Sequence, residues 1–153
     1  MTEKIFITGG CGYVGSVLVN YLSKKYFIKV LDTQWFGNYL ENIKNVELVK
    51  GDIRSLDKNF LGNEKFSSFI HLANIANDPS VELDQTLSWE VNVLAAKNLI
   101  EACIDNGVQN FIYASSGSVY GVRSEDKVTE DLDLVPISTY NKTKMICERL
   151  LLR

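Results

Sequence analysis

Short apolar runs along the chain alternate with longer segments in which apolar positions recur every three or four residues. Five of the apolar runs are too short for helices and predict buried strands. These strands are predicted at Lys4–Thr8, Ile28–Leu31, Val46–Val49, Phe69–Ala73 and Phe111–Ala114.

Three segments have the period of an amphipathic helix. The first presents Val14, Val17, Leu18, Tyr21 and Leu22 on one face. The second begins near Ser88, a candidate N-cap, and ends at Asn106-Gly107. Its predicted core stripe is Val91, Leu94, Ala95, Leu99, Ala102 and Cys103. The third follows Pro136 and carries Met145, Ile146, Leu150 and Leu151.

The alternation of strands and helices predicts an α/β fold, with one parallel sheet and helices on both faces. We expect residues 1–153 to form a single Rossmann-type domain, three-layered and doubly wound. Ligands of such sheets bind beyond the carboxyl ends of the strands. Candidate functional residues are therefore sought where the predicted strands end.

The composition of the chain argues against several classes of function. Hydrophobic residues make up 46% and charged residues 23%, as in globular domains. The net charge of −3 argues against a nucleic-acid partner, and no apolar run approaches the ~18 residues of a membrane span. Three widely spaced cysteines and one histidine predict no metal site, and free thiols favour a cytoplasmic location.

A glycine-rich loop follows the first strand and leads directly into the first helix. It spans Thr8–Gly15, with glycines at 9, 12 and 15 that suit a tight turn, a close approach of pyrophosphate and close helix packing. Asp32 ends the second strand, 20 residues beyond Gly12, where a carboxylate can accept hydrogen bonds from ribose hydroxyls. Because that carboxylate would repel a 2′-phosphate, we predict NAD rather than NADP.

Tyr140 and Lys144 are four residues apart and share one face of the last predicted helix. A nearby ammonium favours the phenolate and so lowers the pKa of a tyrosine, which makes the pair a candidate for general-base chemistry. In an arbitrary helix the same spacing more often gives a surface tyrosine and a solvated lysine. Ser116, at the end of the fifth strand, would lie near the nicotinamide, where its hydroxyl could bridge a substrate hydroxyl and Tyr140.

The chain resembles the extended short-chain dehydrogenase/reductase superfamily, within it the NAD-dependent epimerase/dehydratase family and its UDP-glucose 4-epimerase-like members. The matching segments are Thr8–Gly15, Gly51–Arg54, His71–Asn74, Asn92, Ser115–Gly121 and Tyr140–Lys144. The resemblance implies Tyr140 as base, Lys144 as ribose anchor and pKa modifier, and Ser116 as the residue orienting the hydroxyl. It also implies that Asp52 contacts adenine, that Leu72 and Ala73 line the cofactor, and that Asn92 supports the site.

The predicted site therefore has a catalytic and a cofactor-binding set. The catalytic residues are Ser116, Tyr140 and Lys144. The cofactor-binding residues are Gly9, Gly12, Tyr13, Val14, Gly15, Asp32, Asp52, Ile53, Leu72, Ala73, Asn92, Tyr140 and Lys144. His71 is expected to be a buried structural histidine, and Trp35, Phe36 and Tyr39 either flank the adenine or belong to ordinary surface packing.

The resemblance implies an NAD-dependent epimerase or oxidoreductase acting on a nucleotide-activated sugar, and a homodimer formed through the last two helices. Family dehydratases resemble Ser/Thr-Asp-Glu where this chain has Ser116–Ser118, so an epimerase or simple oxidoreductase fits better. Because members run to about twice this length, we expect a cofactor-binding portion whose sheet is truncated after about five strands. A non-catalytic NAD-binding module and a reductase acting on a non-sugar substrate remain alternatives.

Overall fold

The computed structural model describes residues 3–152. Five strands form one parallel sheet in the order β3-β2-β1-β4-β5. The strands are β1 Lys4–Thr8, β2 Phe27–Asp32, β3 Val46–Lys50, β4 Ser68–His71 and β5 Asn110–Tyr113. This is the predicted Rossmann-like architecture, and every predicted strand is confirmed to within two residues at each end.

The helices are α1 Tyr13–Leu22, α2 Asp78–Leu83, α3 Gln85–Trp89, α4 Ala96–Asp105 and α5 Thr139–Leu151. A π-helical turn, Glu90–Ala95, joins α3 to α4, so the predicted second helix is continuous from Gln85 to Asp105. Short 3-10 turns lie at Ile53–Ser55 and Gly117–Tyr120. Helix α2 and the 3-10 turns were not predicted, because segments of three to six residues are too short for a periodic pattern to show.

The sheet separates two apolar cores. On one face α1 covers Ile5, Ile7, Ile28, Val30 and Ile70. On the other face the helix from α3 to α4 covers an aromatic row in which Phe69 stacks between Phe6 and Phe111, with ring centroids 5.1 and 5.2 Å away. Thr8 pairs with Leu31 on one side and His71 on the other, so the carboxyl ends of β1, β2 and β4 are level.

Two of the predicted helix faces are partly wrong. In α1, Val14, Val17 and Tyr21 are exposed, whereas Gly15 and Val19 are buried. The close approach of Gly15 to the glycine loop, described below, determines which face of α1 turns to the sheet. In α5 the buried residues are Asn141, Thr143, Lys144 and Cys147, while the predicted stripe of Met145, Ile146, Leu150 and Leu151 is only half-buried.

The long helix departs from prediction at two positions. Leu94 is 57% exposed. It lies in the π-helical turn, which has more residues per turn than an α-helix, so an apolar stripe spaced for an α-helix does not stay on one face there. Asp84, not Ser88, is the N-cap, since the Asp84 carboxylate accepts from Leu87 N at 2.9 Å and Ser88 is buried in the first turn. The predicted stop is confirmed, because Gly107 adopts a positive φ of 69° and Val108 N donates to Cys103 O.

All three cysteines are free thiols, as expected, and the structure shows that all three are buried. Within residues 3–152, none of the helices combines the length and the apolar character needed to cross a bilayer.

Candidate dinucleotide and catalytic site

The glycine loop lies between the end of β1 and the start of α1, and its backbone is tightly packed. Gly9 has a φ of +75°, and a Cβ there would lie 2.5 Å from Ala73 N. A Cβ on Gly15 would lie 2.4 Å from Gly9 O, and one on Gly10 would lie 2.5 Å from Val30 Cγ1. The fold itself therefore requires glycine at these three positions, including Gly10, which the pattern of 9, 12 and 15 did not include.

Gly12 differs from its neighbours. Its φ is −73°, and a Cβ there would meet only Gly9 O, at 3.4 Å, which is ordinary contact. Gly12 is also the N-cap of α1 and supplies no capping side chain. The space above it is left open at a helix N-terminus, where backbone N–H groups and the helix dipole favour an anion. The surroundings of Gly12 thus fit a pyrophosphate better than they fit a purely structural requirement for glycine.

The predicted contacts Tyr13 and Val14 lie in the first turn of α1. Tyr13 is 94% exposed and Val14 is 60% exposed, so their side chains are not buried in the protein. Their place at the start of the helix leaves the backbone amides as the groups that can reach a phosphate.

Asp32, at the end of β2, is fixed by two backbone amides. Its Oδ2 accepts from Cys11 N at 2.9 Å, and its Oδ1 accepts from Gln34 N at 2.7 Å. A carboxylate oxygen has more than one acceptor site, so both oxygens can still receive a ribose hydroxyl. The backbone thus positions the carboxylate beside the glycine loop, as the sequence predicted.

Asp52 and Ile53 follow β3 and form the outer wall of the same pocket. Arg54 pairs with Asp52 at 2.7 Å and reaches Glu90 of the π-helical turn at 2.8 Å. The hydrogen bond and charge of Arg54 hold the pKa of Asp52 below its ordinary value. Ile53 is 5% exposed and belongs to the core, so it supplies a fixed apolar surface.

The inner wall of the pocket is the end of β4. Leu72 N donates to Thr8 O at 3.0 Å, which keeps Leu72 and Ala73 beside the glycine loop. One continuous pocket joins these groups, and most of the predicted cofactor-binding residues line it. Its lining is Gly9, Cys11, Gly12, Leu31, Asp32, Thr33, Trp35, Phe36, Gly37, Gly51, Asp52, Ile53, Leu72, Ala73, Asn74, Ile75 and Val91.

Asn92 lies in the π-helical turn and is 1% exposed. Its Oδ1 accepts from Ile75 N at 2.8 Å, and its Nδ2 donates to Ile75 O at 3.1 Å and to Thr143 Oγ1 at 3.4 Å. Asn92 therefore ties the pocket wall to α5 from behind. It does not line the pocket, which agrees with a supporting role.

The predicted catalytic residues meet beyond the end of β5. Lys144 is 3% exposed, and its Nζ donates to Ala114 O at 2.8 Å. The Lys144 ammonium lies 5.7 Å from the centre of the Tyr140 ring. Ser116 Oγ lies 2.7 Å from Ser118 Oγ, which in turn donates to the Asn141 side chain. The structure thus brings Ser116, Tyr140 and Lys144 into one cluster.

Burial governs the protonation of this pair. Burial raises the pKa of Tyr140 above its ordinary value, and a hydrogen bond from Ser116 acts in the opposite direction. Burial also lowers the pKa of Lys144 to about 8. The prediction that Lys144 lowers the pKa of Tyr140 is therefore wrong for this geometry, where desolvation of the phenolate is the largest effect.

His71 is buried and structural, as expected. Its Nδ1 lies 2.7 Å from Thr8 Oγ1, and burial, with the charge of Lys144, lowers its pKa to about 3. Behind it lie residues that sequence reasoning missed. Tyr113 stacks on His71 at 5.8 Å and its ring faces Lys144 Nζ at 4.8 Å, while the Cys147 thiol donates to Asn92 O at 2.7 Å. The position of Tyr113, two residues before the serine-rich segment, was the signal that could have identified it.

A glycine loop, an acidic residue ending β2 and a Ser-Tyr-Lys cluster converge on one edge of a parallel sheet, which defines a Rossmann-type nucleotide-binding domain. A family model agrees with that class: the NAD dependent epimerase/dehydratase family matches residues 5–153. The chain belongs to this family, and the family's NAD dependence agrees with the cofactor predicted from Asp32.

Known relatives share both sequence and fold. The chain is 30% identical to a UDP-glucose 4-epimerase of Lactobacillus helveticus, over 97% of this chain and 46% of the relative. It is 34% identical to the sterol-4-alpha-carboxylate 3-dehydrogenase, decarboxylating, of Bos taurus, over 98% of this chain and 41% of the relative. The UDP-glucose 4-epimerase of Thermus thermophilus in complex with NAD is 30% identical with a TM-score of 0.87, covering 98% of this chain and 50% of that one. The chain thus spans about half the length, or less, of these relatives.

Proposed function

We propose that this chain is the NAD-binding portion of a nucleotide-sugar 4-epimerase, and that residues 1–153 act as one dinucleotide-binding domain. The observation that carries the proposal is the geometry of a single sheet edge, where the open cradle at Gly12, the tethered Asp32 and the Ser116–Tyr140–Lys144 cluster lie together. Epimerases of the same family at about 30% identity support the substrate class.

The residues present fit NAD. The pocket runs from the glycine loop past Asp32 to Asp52 and Ile53, and a side chain at Gly12 would enter the cradle. Asp32 would accept from the adenosine ribose and repel a 2′-phosphate, and Lys144 would hold the nicotinamide ribose. When bound, NAD supplies a reversible hydride acceptor.

In the proposed reaction Tyr140 takes the proton from the sugar hydroxyl as that carbon is oxidised, and returns it on reduction. Ser116 orients the hydroxyl toward the phenol. The hydrogen bond from Ser116 favours the phenolate against the larger effect of burial, and the Lys144 ammonium, 5.7 Å from the centre of the Tyr140 ring, is proposed to add to it as the proton moves. Ser116-Gly117-Ser118 carries no carboxylate, which favours epimerisation over elimination of water.

A second candidate is oxidation of a non-sugar substrate. It is favoured by the 34% identity to a sterol dehydrogenase, which exceeds the 30% identity to the L. helveticus epimerase. The two candidates share Ser116, Tyr140 and Lys144. They differ in the substrate and in the fate of the hydride, which an epimerase returns to the sugar and which a dehydrogenase leaves on the reduced cofactor.

The decisive experiment has a binding and a turnover part. Calorimetry on this chain should show NAD binding more tightly than NADP, with the difference reduced in Asp32→Ala. Interconversion of UDP-glucose and UDP-galactose should then be measured on the protein as its gene encodes it. Tyr140→Phe should lower the rate about 10²–10⁴-fold, the range of general-base catalysis, and leave NAD affinity nearly unchanged. Tighter binding of NADP, or an undiminished rate in Tyr140→Phe, would refute the assignment.

A further inference from the structure

The Lys144 ammonium is buried without a counter-ion. Lys144 is 3% exposed, and within residues 3–152 it forms no ion pair with a carboxylate. An ammonium has three N–H donors, and Lys144 uses one of them on Ala114 O at 2.8 Å. Burial lowers its pKa to about 8, so the charged form is only narrowly favoured at neutral pH. The proposed role of Lys144 as ribose anchor therefore depends on neighbours that favour an ammonium.

The ring of Tyr113 is such a neighbour. Lys144 Nζ lies 4.8 Å from the centre of the Tyr113 ring, compared with 5.7 Å for the Tyr140 ring. An aromatic face attracts a cation within about 6 Å, and the attraction grows when water is excluded. Tyr113 ends β5, one residue before the Ala114 carbonyl that Lys144 also contacts. The end of β5 thus offers the ammonium both a hydrogen-bond acceptor and an aromatic face.

The ionisable groups around Lys144 supply little else. His71 on β4 is neutral, because its pKa is lowered to about 3. On α5, burial raises the pKa of Tyr140 and of Cys147, so both side chains are also neutral at neutral pH. Glu148 carries a charge that favours the ammonium, and its carboxylate lies beyond ion-pair distance. The aromatic face at the end of β5 therefore adds a stabilisation that no directly paired charge provides.

Tyr113 is held by the packing of its ring and not by its hydroxyl. It pairs with His71 across β4 and β5, and the two rings stack at 5.8 Å. The hydroxyl is buried, burial raises its pKa so that it stays neutral, and it makes no hydrogen bond within residues 3–152. The nearby Cys147 thiol donates instead to Asn92 O. A buried hydroxyl without a partner is unfavourable, so the placement of this side chain is explained by its ring.

We propose that Tyr113 is a positioning residue whose aromatic face holds the Lys144 ammonium, in its charged form, beside Tyr140. Tyr113 is not part of the lining of the cofactor pocket, so it acts through Lys144 and not on a ligand. The inference rests on the proposed function, because that function makes Lys144 the anchor of the nicotinamide ribose. It adds a residue of β5 to the groups on which that anchor depends.

NMR titration of the 153-residue chain with isotope-labelled lysine measures the pKa of Lys144, and Lys144→Arg identifies its signal. Tyr113→Leu should lower that pKa by about 1, since a cation–π contact away from water changes protonation about tenfold. Tyr113→Phe keeps the aromatic face and should show the wild-type pKa. Phe111→Leu is the matched control, because it removes from β5 a ring that stacks on Phe69 and not on the ammonium. It should leave the pKa of Lys144 unchanged.

The direction of the change separates the proposal from a purely structural effect. Looser packing alone would admit water and raise the pKa of Lys144 toward its ordinary value of 10.5. Pentafluorophenylalanine incorporated at position 113 covers the case in which Tyr113→Leu does not fold, because it keeps the ring and reverses the charge of its face. It should lower the pKa as Tyr113→Leu does. An unchanged or raised pKa in a folded protein with either substitution would overturn the proposal.

The pH dependence of NAD binding connects Tyr113 to the proposed function. Between about pH 6 and pH 7.5, calorimetry should show little change in wild-type affinity, because Lys144 stays mostly charged. Tyr113→Leu should lose about fourfold in affinity over the same interval, as the charged fraction of a lysine with a pKa of about 7 falls. Equal pH dependence in this variant and the wild type would overturn the role of Tyr113. Absence of NAD binding to the wild-type chain would overturn the proposed function, whereas the titration of Lys144 needs no cofactor and still decides the contact with Tyr113.

Discussion

At the scale of single residues, His71 makes stability depend on pH. Its pKa is lowered to about 3 in the folded protein, against an ordinary value of 6.5, so the unfolded chain takes up a proton below pH 6.5 that the folded chain does not. The contribution of neutral His71 is therefore fully present above pH 6.5 and declines as the pH falls toward 3. We expect the free energy of unfolding to fall by about 1 kcal/mol per pH unit between pH 6 and 5.

Urea titrations at several pH values measure this slope. His71 is the only histidine in the sequence, so few other groups titrate in that interval. His71→Gln, which cannot titrate, should flatten the dependence between pH 6 and 5, whatever it does to absolute stability. An equal slope in both proteins would show that another group is responsible.

Gly12 and Gly15 form a matched pair in the same loop. Gly12→Val should abolish NAD binding and leave the helical circular dichroism nearly intact, because a Cβ there meets only Gly9 O at 3.4 Å. Gly15→Val should lower stability as well, because its Cβ would lie 2.4 Å from the same oxygen. Calorimetry and thermal melts separate the two effects, and equal loss of stability in both variants would contradict them.

Residues were predictable where a side chain has a recognisable chemical role. Asp32 could be identified because it ends a predicted strand. Tyr140 and Lys144 could be identified because their spacing of four residues puts them on one face of a predicted helix. Tyr113 and Cys147 did not stand out, since an aromatic residue in a strand and a cysteine in a helix are ordinary core residues. Their contacts join β5, α5 and the π-helical turn, and such contacts exist only after the chain has folded.

At the scale of elements, the turn joining α3 to α4 matters most. It presents Asn92, whose side chain satisfies both backbone groups of Ile75. Asn92→Leu would remove the partner of Ile75 N, while Ile75 O would keep its hydrogen bond from Asn74 Nδ2 at 2.8 Å, so we expect a loss of about 1–3 kcal/mol in the free energy of unfolding. NAD affinity should fall too, since Ile75 lines the pocket.

Asn98→Leu provides the control for this change, because Asn98 lies two turns further along the same helix and is exposed. It should alter stability by less than about 0.5 kcal/mol, as surface substitutions generally do. Chemical denaturation of both variants decides the point. Similar losses in the two would mean that the leucine itself, and not the lost hydrogen bonds, is destabilising.

Strands were predicted better than helix faces. A short apolar run bounded by glycine or polar residues leaves little choice of structure, and the strands follow it closely. A helix face depends on what the helix packs against. The glycine contact of α1 exposes Val14 and Val17, and the π-helical turn exposes Leu94; neither cause is visible in a periodicity of 3.6 residues.

At the scale of the whole molecule, the two faces of the sheet leave different surfaces. On the face of α1, Val17 is 69% exposed. On the opposite face, α5 has a buried side that is largely polar and belongs to the site, while Ile146 and Met145 are only half-buried. The buried side of α5 could not be predicted from hydrophobicity, because it consists of the residues that the site needs.

The half-buried aliphatic side chains of α5 support a prediction about assembly. We expect a homodimer through α4 and α5, in which Ile146 becomes buried. Ile146→Glu would place an unpaired charge in that interface, so light scattering should show a monomer where the wild type shows a dimer. Val17→Glu, on the opposite face of the sheet, is the matched control and should leave the dimer intact. If Val17→Glu dissociates the dimer and Ile146→Glu does not, the interface lies on α1. A monomeric wild type would exclude the assembly altogether.

NAD affinity in both variants shows whether the site depends on the interface, because Ile146 lies two residues beyond Lys144 on the same helix.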